Sequence, residues 1–142
     1  MCETAGDTIA AGRQLARRLL ASSAGTPPVL ALTGPLAAGK TTLVKGVALE
    51  LGVTEPITSP TFALVSQYQL AGGTDFLTHV DLYRIDSEAA VESLALDDML
   101  SVSRLMVIEW AEKAPGAIPI ATLSVQIDVR ADGKRRLEIF RQ

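Results

Sequence analysis

Cysteine and histidine are nearly absent from this chain of 142 residues. Its single cysteine, Cys2, and its single histidine, His79, form no Cys-x-x-Cys motif and no His/Cys cluster. A disulfide needs two thiols and a structural zinc site needs several such ligands, so neither can stabilise this fold. We predict that Cys2 is a mobile thiol in a reducing compartment. His79, without partners, is predicted to lie on a strand face or at a cleft rim and not to ligate a metal.

Long apolar runs and an excess of basic charge are missing as well. No stretch approaches the roughly 18–20 apolar residues that span a bilayer, and the N-terminus opens acidic, unlike a signal peptide. The net charge of −3 and the pI near 5.1 argue against a protein whose main task is to wrap nucleic acid. The length and the hydrophobic fraction of 48% predict one globular domain over residues 1–142, in the cytoplasm and without membrane contact.

The segment LTGPLAAGKTT carries the most informative motif. It matches the phosphate-binding pattern G-x-x-x-x-G-K-[ST], with Lys40 and Thr41 at its end. The apolar run at 29–33 predicts a buried parallel strand before the loop. Apolar residues at helical spacing predict a helix after it, closed by Gly52. Strand, glycine loop and helix form the context that the motif requires, so a chance match is the weaker interpretation.

Such a loop binds phosphate because consecutive backbone N–H groups converge at the positive end of a helix dipole. Lys40 is predicted to reach the β- and γ-phosphates of ATP, Thr41 to ligate Mg²⁺, and Thr42 to contact the α- or β-phosphate. Pro35 has no N–H to donate, and Ala37 would cost on the order of 1 kcal/mol if its φ is positive. The nucleotide contacts predicted from the motif, for ATP or its product ADP, are Gly34, Pro35, Leu36, Ala37, Ala38, Gly39, Lys40, Thr41 and Thr42.

The rest of the chain alternates between helical and strand patterns. Amphipathic helices are predicted at 8–22, capped by Asp7 or Thr8, and at 86–100, with a break near Ala95. Further strands, the first two and the last two forming antiparallel hairpins, are predicted at 61–70, 76–85, 104–110, 122–130 and 135–141. The predicted fold is therefore an α/β, P-loop NTPase-like three-layer domain. Its mixed central sheet has antiparallel additions and a C-terminal hairpin.

Two acids are placed where phosphoryl chemistry needs them, since positioning and electrostatics do most of that catalysis. Glu109 ends an apolar strand, and ligands of open α/β sheets bind at this edge. Asp81 stands among apolar and aromatic residues, so it is paired, exposed at a cleft, or costly. We predict a functional role for Glu109 beside Lys40, while the residues alone leave Asp81 open between a functional role and a structural one with Arg84 as its partner.

Four motifs in order resemble one known family. The phosphate loop is followed by SPTF, HVDLYR and VIEW, and this set is similar to the TsaE (YjeE) family, over residues 8–136. The resemblance implies an ATPase subunit of the machinery that makes threonylcarbamoyladenosine in tRNA. Its implied partners are a TsaD-type transferase and a TsaB-type protein, with tRNA reached only indirectly through that complex.

The resemblance also implies roles for individual residues. Lys40, Asp81 and Glu109 would be the catalytic residues, with Asp81 needed for hydrolysis, and Thr41 and Glu109 would be the metal ligands. Thr8 would lie near the adenine, and a basic residue of GKRR, most plausibly Arg136, would contact the nucleotide. Trp110 would act with Glu109. The segment Ser59, Pro60 and Thr61 would be a switch that senses the γ-phosphate. The family loop usually reads G-D-L-G-A-G-K-T, so Pro35 and Ala37 are departures that affect the loop shape and the nucleotide affinity.

Two other functions share the first motif. A small-molecule P-loop kinase would need a lid and several arginines, yet Arg84 is the only arginine between Lys40 and Arg104. A nucleotide-dependent interaction module would bind ATP to order the 57–62 segment for a partner, with hydrolysis incidental. Because the other arginines, apart from Arg104, cluster near the chain ends, no arginine finger is evident in cis. We therefore predict slow hydrolysis by the chain alone and faster hydrolysis with its partners.

Overall fold

A computed structural model describes residues 2–22, 25–58 and 64–141, which fold around one six-stranded sheet. Strand order is β2-β3-β4-β1-β5-β6. The elements in chain order are α1 (Ala5–Ser22), β1 (Val29–Thr33), α2 (Lys40–Glu50), β2 (Val65–Gln69), β3 (Phe76–Asp81), α3 (Glu88–Glu92), α4 (Leu96–Leu100), β4 (Ser103–Glu109), a 3₁₀ helix (Ala111–Lys113), β5 (Leu123–Val129) and β6 (Arg135–Arg141).

The sheet is parallel in its centre and antiparallel at both edges. β1 pairs in parallel with β4 and β5, and β4 with β3. The two outer strands, β2 and β6, each form an antiparallel hairpin with their sequence neighbours. Since β1 is covered on both faces, the first four residues of its VLALT sequence are apolar and buried, as is typical of buried parallel strands. The α/β class, the mixed sheet and the C-terminal hairpin are confirmed.

Helices cover the two faces of the sheet, each with its own apolar cluster. α1 and α2 pack on one face, around Leu19, Leu43 and Val107, while α3 and α4 cover the other, around Val91 and Ile108. No helix among the described residues has the length and apolar character needed to cross a membrane.

Two glycines let α1 and α2 approach closely. A Cβ at Gly46 would lie 2.0 Å from the backbone oxygen of Ile9, and one at Gly12 would lie 2.2 Å from that of Leu43. Any larger residue at either position would therefore press backbone against backbone. This contact fixes α1 across the helix that begins at the phosphate loop.

The first helix begins three residues earlier than its pattern predicts. Thr4 accepts a hydrogen bond from the Asp7 amide, while Asp7 Oδ2 accepts from the Glu3 and Thr4 amides. This reciprocal capping satisfies amides that the helix leaves unpaired, so α1 starts at Ala5 and the predicted caps at Asp7 or Thr8 are wrong.

Cys2 is not the mobile thiol that the sequence predicts. It is buried, and its backbone N–H and C=O both hydrogen bond to the backbone of Arg135 at 2.8 Å.

The hairpin of β2 and β3 is shorter than predicted because a side chain ends β3. Asp81 Oδ1 accepts a hydrogen bond of 2.9 Å from the Tyr83 amide, an Asx turn that diverts the chain from extended geometry. The predicted strand to residue 85 therefore stops at Asp81. The predicted helix at 86–100 is broken at Ala95, as expected, where φ is +53, and Ser87 caps its first half by accepting from the Ala90 amide.

Candidate functional site

The phosphate loop connects β1 to α2 with unusual backbone angles. Gly34 has φ +141 and a Cβ there would lie 2.3 Å from the backbone oxygen of Ile127, so only glycine fits. Gly39 has φ +105 immediately before the first residue of α2. Ala37 has φ +63, so the cost on the order of 1 kcal/mol for a side chain in this region is present. The motif therefore forms a tight loop at a helix N-terminus, as its spacing predicts.

Lys40 is almost fully buried beneath this loop, at 4% exposure. Its Nζ donates to the backbone oxygens of Gly34 and Pro35 at 2.7 and 2.8 Å and lies 4.1 Å from the centre of the Trp110 ring. Burial lowers the pKa of the Lys40 ammonium, and the carboxylates of Glu109, Glu112 and Asp81 oppose that shift. A buried ammonium held by loop carbonyls is a charge ready for an anion at the loop.

Three side chains from separate elements form a hydrogen-bonded chain. The Thr41 hydroxyl, in the first turn of α2, donates to both oxygens of Glu109, at 3.2 Å to Oε1 and 3.1 Å to Oε2. His79 Nε2, from β3, hydrogen bonds to the same Oε2. Glu109 is 3% exposed and His79 is fully buried. A carboxylate this deep needs such partners, because an unpaired buried charge is costly.

The alternation of the strands explains this convergence. In β3, Asp81 and His79 share a face with Leu77, and in β4 Glu109 shares a face with Val107. Leu77 and Val107 both belong to the apolar cluster beneath α2, and Asp81 pairs in register with Glu109. Because parallel strands end at the same edge, both acids reach the loop at the carboxyl end of the sheet. Asp81 is 8% exposed there.

An arginine from β6 completes the site. Arg135 Nε donates to the backbone oxygen of Ala38 at 2.7 Å, and the same guanidinium covers Gly39. Together with the loop, the two acids, Tyr83 and Arg84, it lines a cleft of about 410 Å³. Of the nine residues that the motif predicted to contact nucleotide, all except Gly34 and Pro35 line this cleft. Those two present carbonyls to Lys40 instead.

Comparison with known proteins agrees with this geometry. The family model for "Threonylcarbamoyl adenosine biosynthesis protein TsaE" matches residues 2–137. The chain belongs to the TsaE family.

Curated relatives and a solved structure extend the match. TsaE of Haemophilus influenzae is 34% identical over 131 residues, covering 92% of this chain and 81% of the relative. TsaE of Treponema pallidum is 40% identical over 111 residues, covering 78% and 80%. Each of these relatives is named "tRNA threonylcarbamoyladenosine biosynthesis protein TsaE". The crystal structure of Bacillus subtilis YdiB superposes with a TM-score of 0.70 at 29% identity, covering 95% of this chain and 78% of that one. The predicted family is confirmed.

The TsaE-family motif that ends in Trp110 closes one side of the cleft. Trp110 has φ +60, and its ring lies 5.0 Å from that of Tyr83. The Lys113 ammonium donates to the backbone oxygen of Tyr83 and faces both rings. Two lysines therefore lie close to the Trp110 ring, Lys40 from the loop and Lys113 from the 3₁₀ helix.

The structure places two residues of the TsaE-family expectations away from the cleft lining, and a third expectation lies outside the described residues. Thr8 is fully buried in α1 and is not among the residues that line the cleft, so its contact with adenine stays a prediction. Arg136 pairs with Glu138 at 3.3 Å and is largely exposed, because neighbouring residues of β6 face opposite sides. Its neighbour Arg135 faces the loop instead. The predicted switch at Ser59, Pro60 and Thr61 lies outside the described residues.

Sequence reasoning missed two members of the site, His79 and Arg135. For His79 a signal was present, since Leu77, His79 and Asp81 alternate and must share a face. For Arg135 no such signal was present, because its neighbours are also basic and the sequence does not show which of them faces the loop. The backbone pairing of Arg135 with Cys2 and its hydrogen bond to Ala38 show that its side chain faces the loop.

The oxygens at this site suit Mg²⁺. Within the described ranges, no three His, Cys, Asp or Glu residues are grouped so that they could hold a metal by themselves. Thr41 and Glu109 instead supply a hydroxyl and a carboxylate within 3.2 Å of each other. Mg²⁺ takes few protein ligands and completes its shell with phosphates and water, so this pair fits that ion.

Proposed function

We propose that this chain binds Mg-ATP in the cleft and hydrolyses it slowly. In this proposal, hydrolysis sustains the turnover of a TsaD–TsaB transferase pair that modifies tRNA in the cytoplasm, and tRNA is contacted only through that pair. The observation that carries the proposal is the meeting of Lys40, Thr41, Asp81 and Glu109 at one edge of the sheet.

Each of these residues has a separate part in the proposed reaction. Lys40 exchanges its bonds to the loop carbonyls for oxygens of the β- and γ-phosphates, which keeps its buried charge paired. Thr41 and Glu109 hold Mg²⁺, which when bound neutralises charge on the phosphates. Asp81, beside Glu109 in the register, orients the attacking water. The Thr42 amide and hydroxyl contact the phosphate nearer the ribose.

The arginines of the site bear on how partners would act. The sequence offers no evident arginine finger, but the fold brings both Arg84 and Arg135 to the cleft. Arg135 is engaged with Ala38, while Arg84 is exposed at the rim. A partner docking at the rim would restrict Arg84 over the cleft and supply the cation that the developing charge needs, an effect worth about 10³–10⁵ in rate when complete.

Phosphate release with and without the TsaD–TsaB pair, at saturating ATP, tests the proposal. We expect slow basal hydrolysis and a stimulation of about an order of magnitude or more. Asp81→Asn should abolish the stimulated rate and leave ATP affinity nearly unchanged, while Asp97→Asn, an exposed carboxylate of α4, serves as the matched control. A fast basal rate that partners do not change would refute the proposed dependence on them.

Two further measurements, phosphate transfer to an added acceptor and repeated turnover of the transferase, separate the two alternative functions. A kinase would pass phosphate to an added small-molecule acceptor and not to water. An interaction module would support the transferase equally well with the Asp81→Asn variant, since only binding would matter. If that variant binds ATP but no longer sustains repeated transferase turnovers, hydrolysis itself is required.

A further inference from the structure

His79 is fully buried, yet only one of its ring nitrogens has a hydrogen-bond partner within the part of the chain that the structure describes. Nε2 hydrogen bonds to Glu109 Oε2, whereas Nδ1 is buried with no hydrogen-bond partner among the described residues. An apolar side chain would fill this position in β3 without that desolvation penalty. By contrast, the next buried polar residue of the strand, Thr78, faces the other side and is bonded to Ser103 at 2.6 Å. Packing alone therefore does not explain an imidazole here, because its buried Nδ1 carries a desolvation penalty.

The one hydrogen bond described for His79 is made to the Glu109 carboxylate, which is the group that would hold the metal. Glu109 has a flexible side chain, and Thr41 alone spans both of its oxygens at similar distances. A single donor in that position does not fix the rotation of the carboxylate. The hydrogen-bond network assigns the ring proton to Nε2, since an ionised carboxylate can only accept. This second donor bonds to Oε2 alone, so it distinguishes the two oxygens and fixes the rotation of the carboxylate.

We propose that His79 is a positioning residue, which holds the Glu109 carboxylate in the orientation that takes Mg²⁺. This inference rests on the proposed function, in which Thr41 and Glu109 are the metal ligands. Hydrogen-bond partners of ligating carboxylates commonly change metal affinity by about 10–100-fold. His79 contacts neither nucleotide nor metal, and acts only through Glu109.

Two conservative variants distinguish this role from simple packing. His79→Gln places an amide nitrogen near the position of Nε2 and keeps the bond to Glu109. His79→Asn places it near Nδ1, one bond short of the carboxylate. The measurement is the Mg²⁺ concentration that half-saturates ADP binding to the isolated chain, by calorimetry at a series of Mg²⁺ concentrations and in EDTA. It needs no hydrolysis and no partner.

We expect His79→Asn to raise the half-saturating Mg²⁺ concentration by about 10–100-fold, and His79→Gln to stay close to wild type. ADP affinity in EDTA should be the same in all three proteins. Thr78→Val, a buried polar residue of the same strand on the opposite face, is the control and should leave the Mg²⁺ requirement unchanged.

Three results would overturn the inference. Equal Mg²⁺ requirements in wild type, His79→Gln and His79→Asn would show that the contact does not orient the ligand. Loss of ADP affinity in EDTA, to the same degree in both variants, would indicate a packing role. If wild type binds ADP independently of Mg²⁺, the metal site itself is wrong, and the proposed function falls together with this inference.

Discussion

Arg135 and Arg136 offer a test in which adjacent residues of the same type should behave differently. Arg135 Nε donates to the phosphate-loop carbonyl of Ala38 at 2.7 Å from a partly buried position. Arg136 points away and pairs with Glu138 on the surface. We predict that Arg135→Ala weakens ADP binding strongly and Arg136→Ala hardly at all.

The magnitude follows from the single bond to the loop. A hydrogen bond from a charged donor contributes about 1.5–3 kcal/mol net, and each 1.4 kcal/mol is a factor of ten in affinity. If the whole contribution serves to hold the loop in its binding shape, Arg135→Ala lowers the affinity for ADP by about 10- to 150-fold. The surface pair of Arg136 is worth about 0–1 kcal/mol for folding and nothing for the loop.

The assay is isothermal titration calorimetry with ADP and Mg²⁺, together with thermal unfolding in the absence of nucleotide. The unfolding midpoints show whether each variant is folded at the temperature of the titration. Equal affinities in the two variants, or a larger loss for Arg136→Ala, would refute the assignment of Arg135 to the cleft.

Three further predictions concern the loop, the metal and the helix contact. Lys40→Ala should weaken ATP binding at least tenfold by removing the buried counter-charge; unchanged calorimetric affinity would place the phosphate cradle elsewhere. Glu109→Gln should lower phosphate release far more than ATP affinity, since it removes the ligand charge and keeps its shape, and full turnover at saturating Mg²⁺ would contradict this role. Gly46→Ala should lower the unfolding midpoint, because overpacking costs about 1–3 kcal/mol or more against backbone, while alanine regains about 1 kcal/mol of helix propensity. Lys45→Ala, exposed on the same helix, is the control for Gly46, and equal midpoints would show that α1 yields without cost.

Local features of this molecule could be read from its sequence. The apolar run at 29–33, the glycines of the loop and the helical spacing after Lys40 act over a few residues, so they set strand, loop and helix together. The same holds for the Asp132-Gly133 hairpin and for the break at Ala95. The order of four motifs also indicated the TsaE family, which the comparisons confirm.

Contacts between distant segments could not be read in this way. The strand pattern predicted β3 to residue 85, but the carboxylate of Asp81 captures the Tyr83 amide and ends it there. Whether Arg135 or Arg136 faces the loop depends on the phase of β6, and a one-residue shift exchanges the two.

The sequence by itself determined the phosphate loop, the fold class and the family, because these depend on local geometry and on ordered motifs. Only the tertiary structure decided which side chains surround the loop. It brings Arg135 to Ala38 across 97 positions and His79 to Glu109 across 30. These contacts follow from the pairing of β3 with β4 and of Cys2 with β6. Such contacts depend on strand order and register, which emerge only when distant segments bury their apolar faces together.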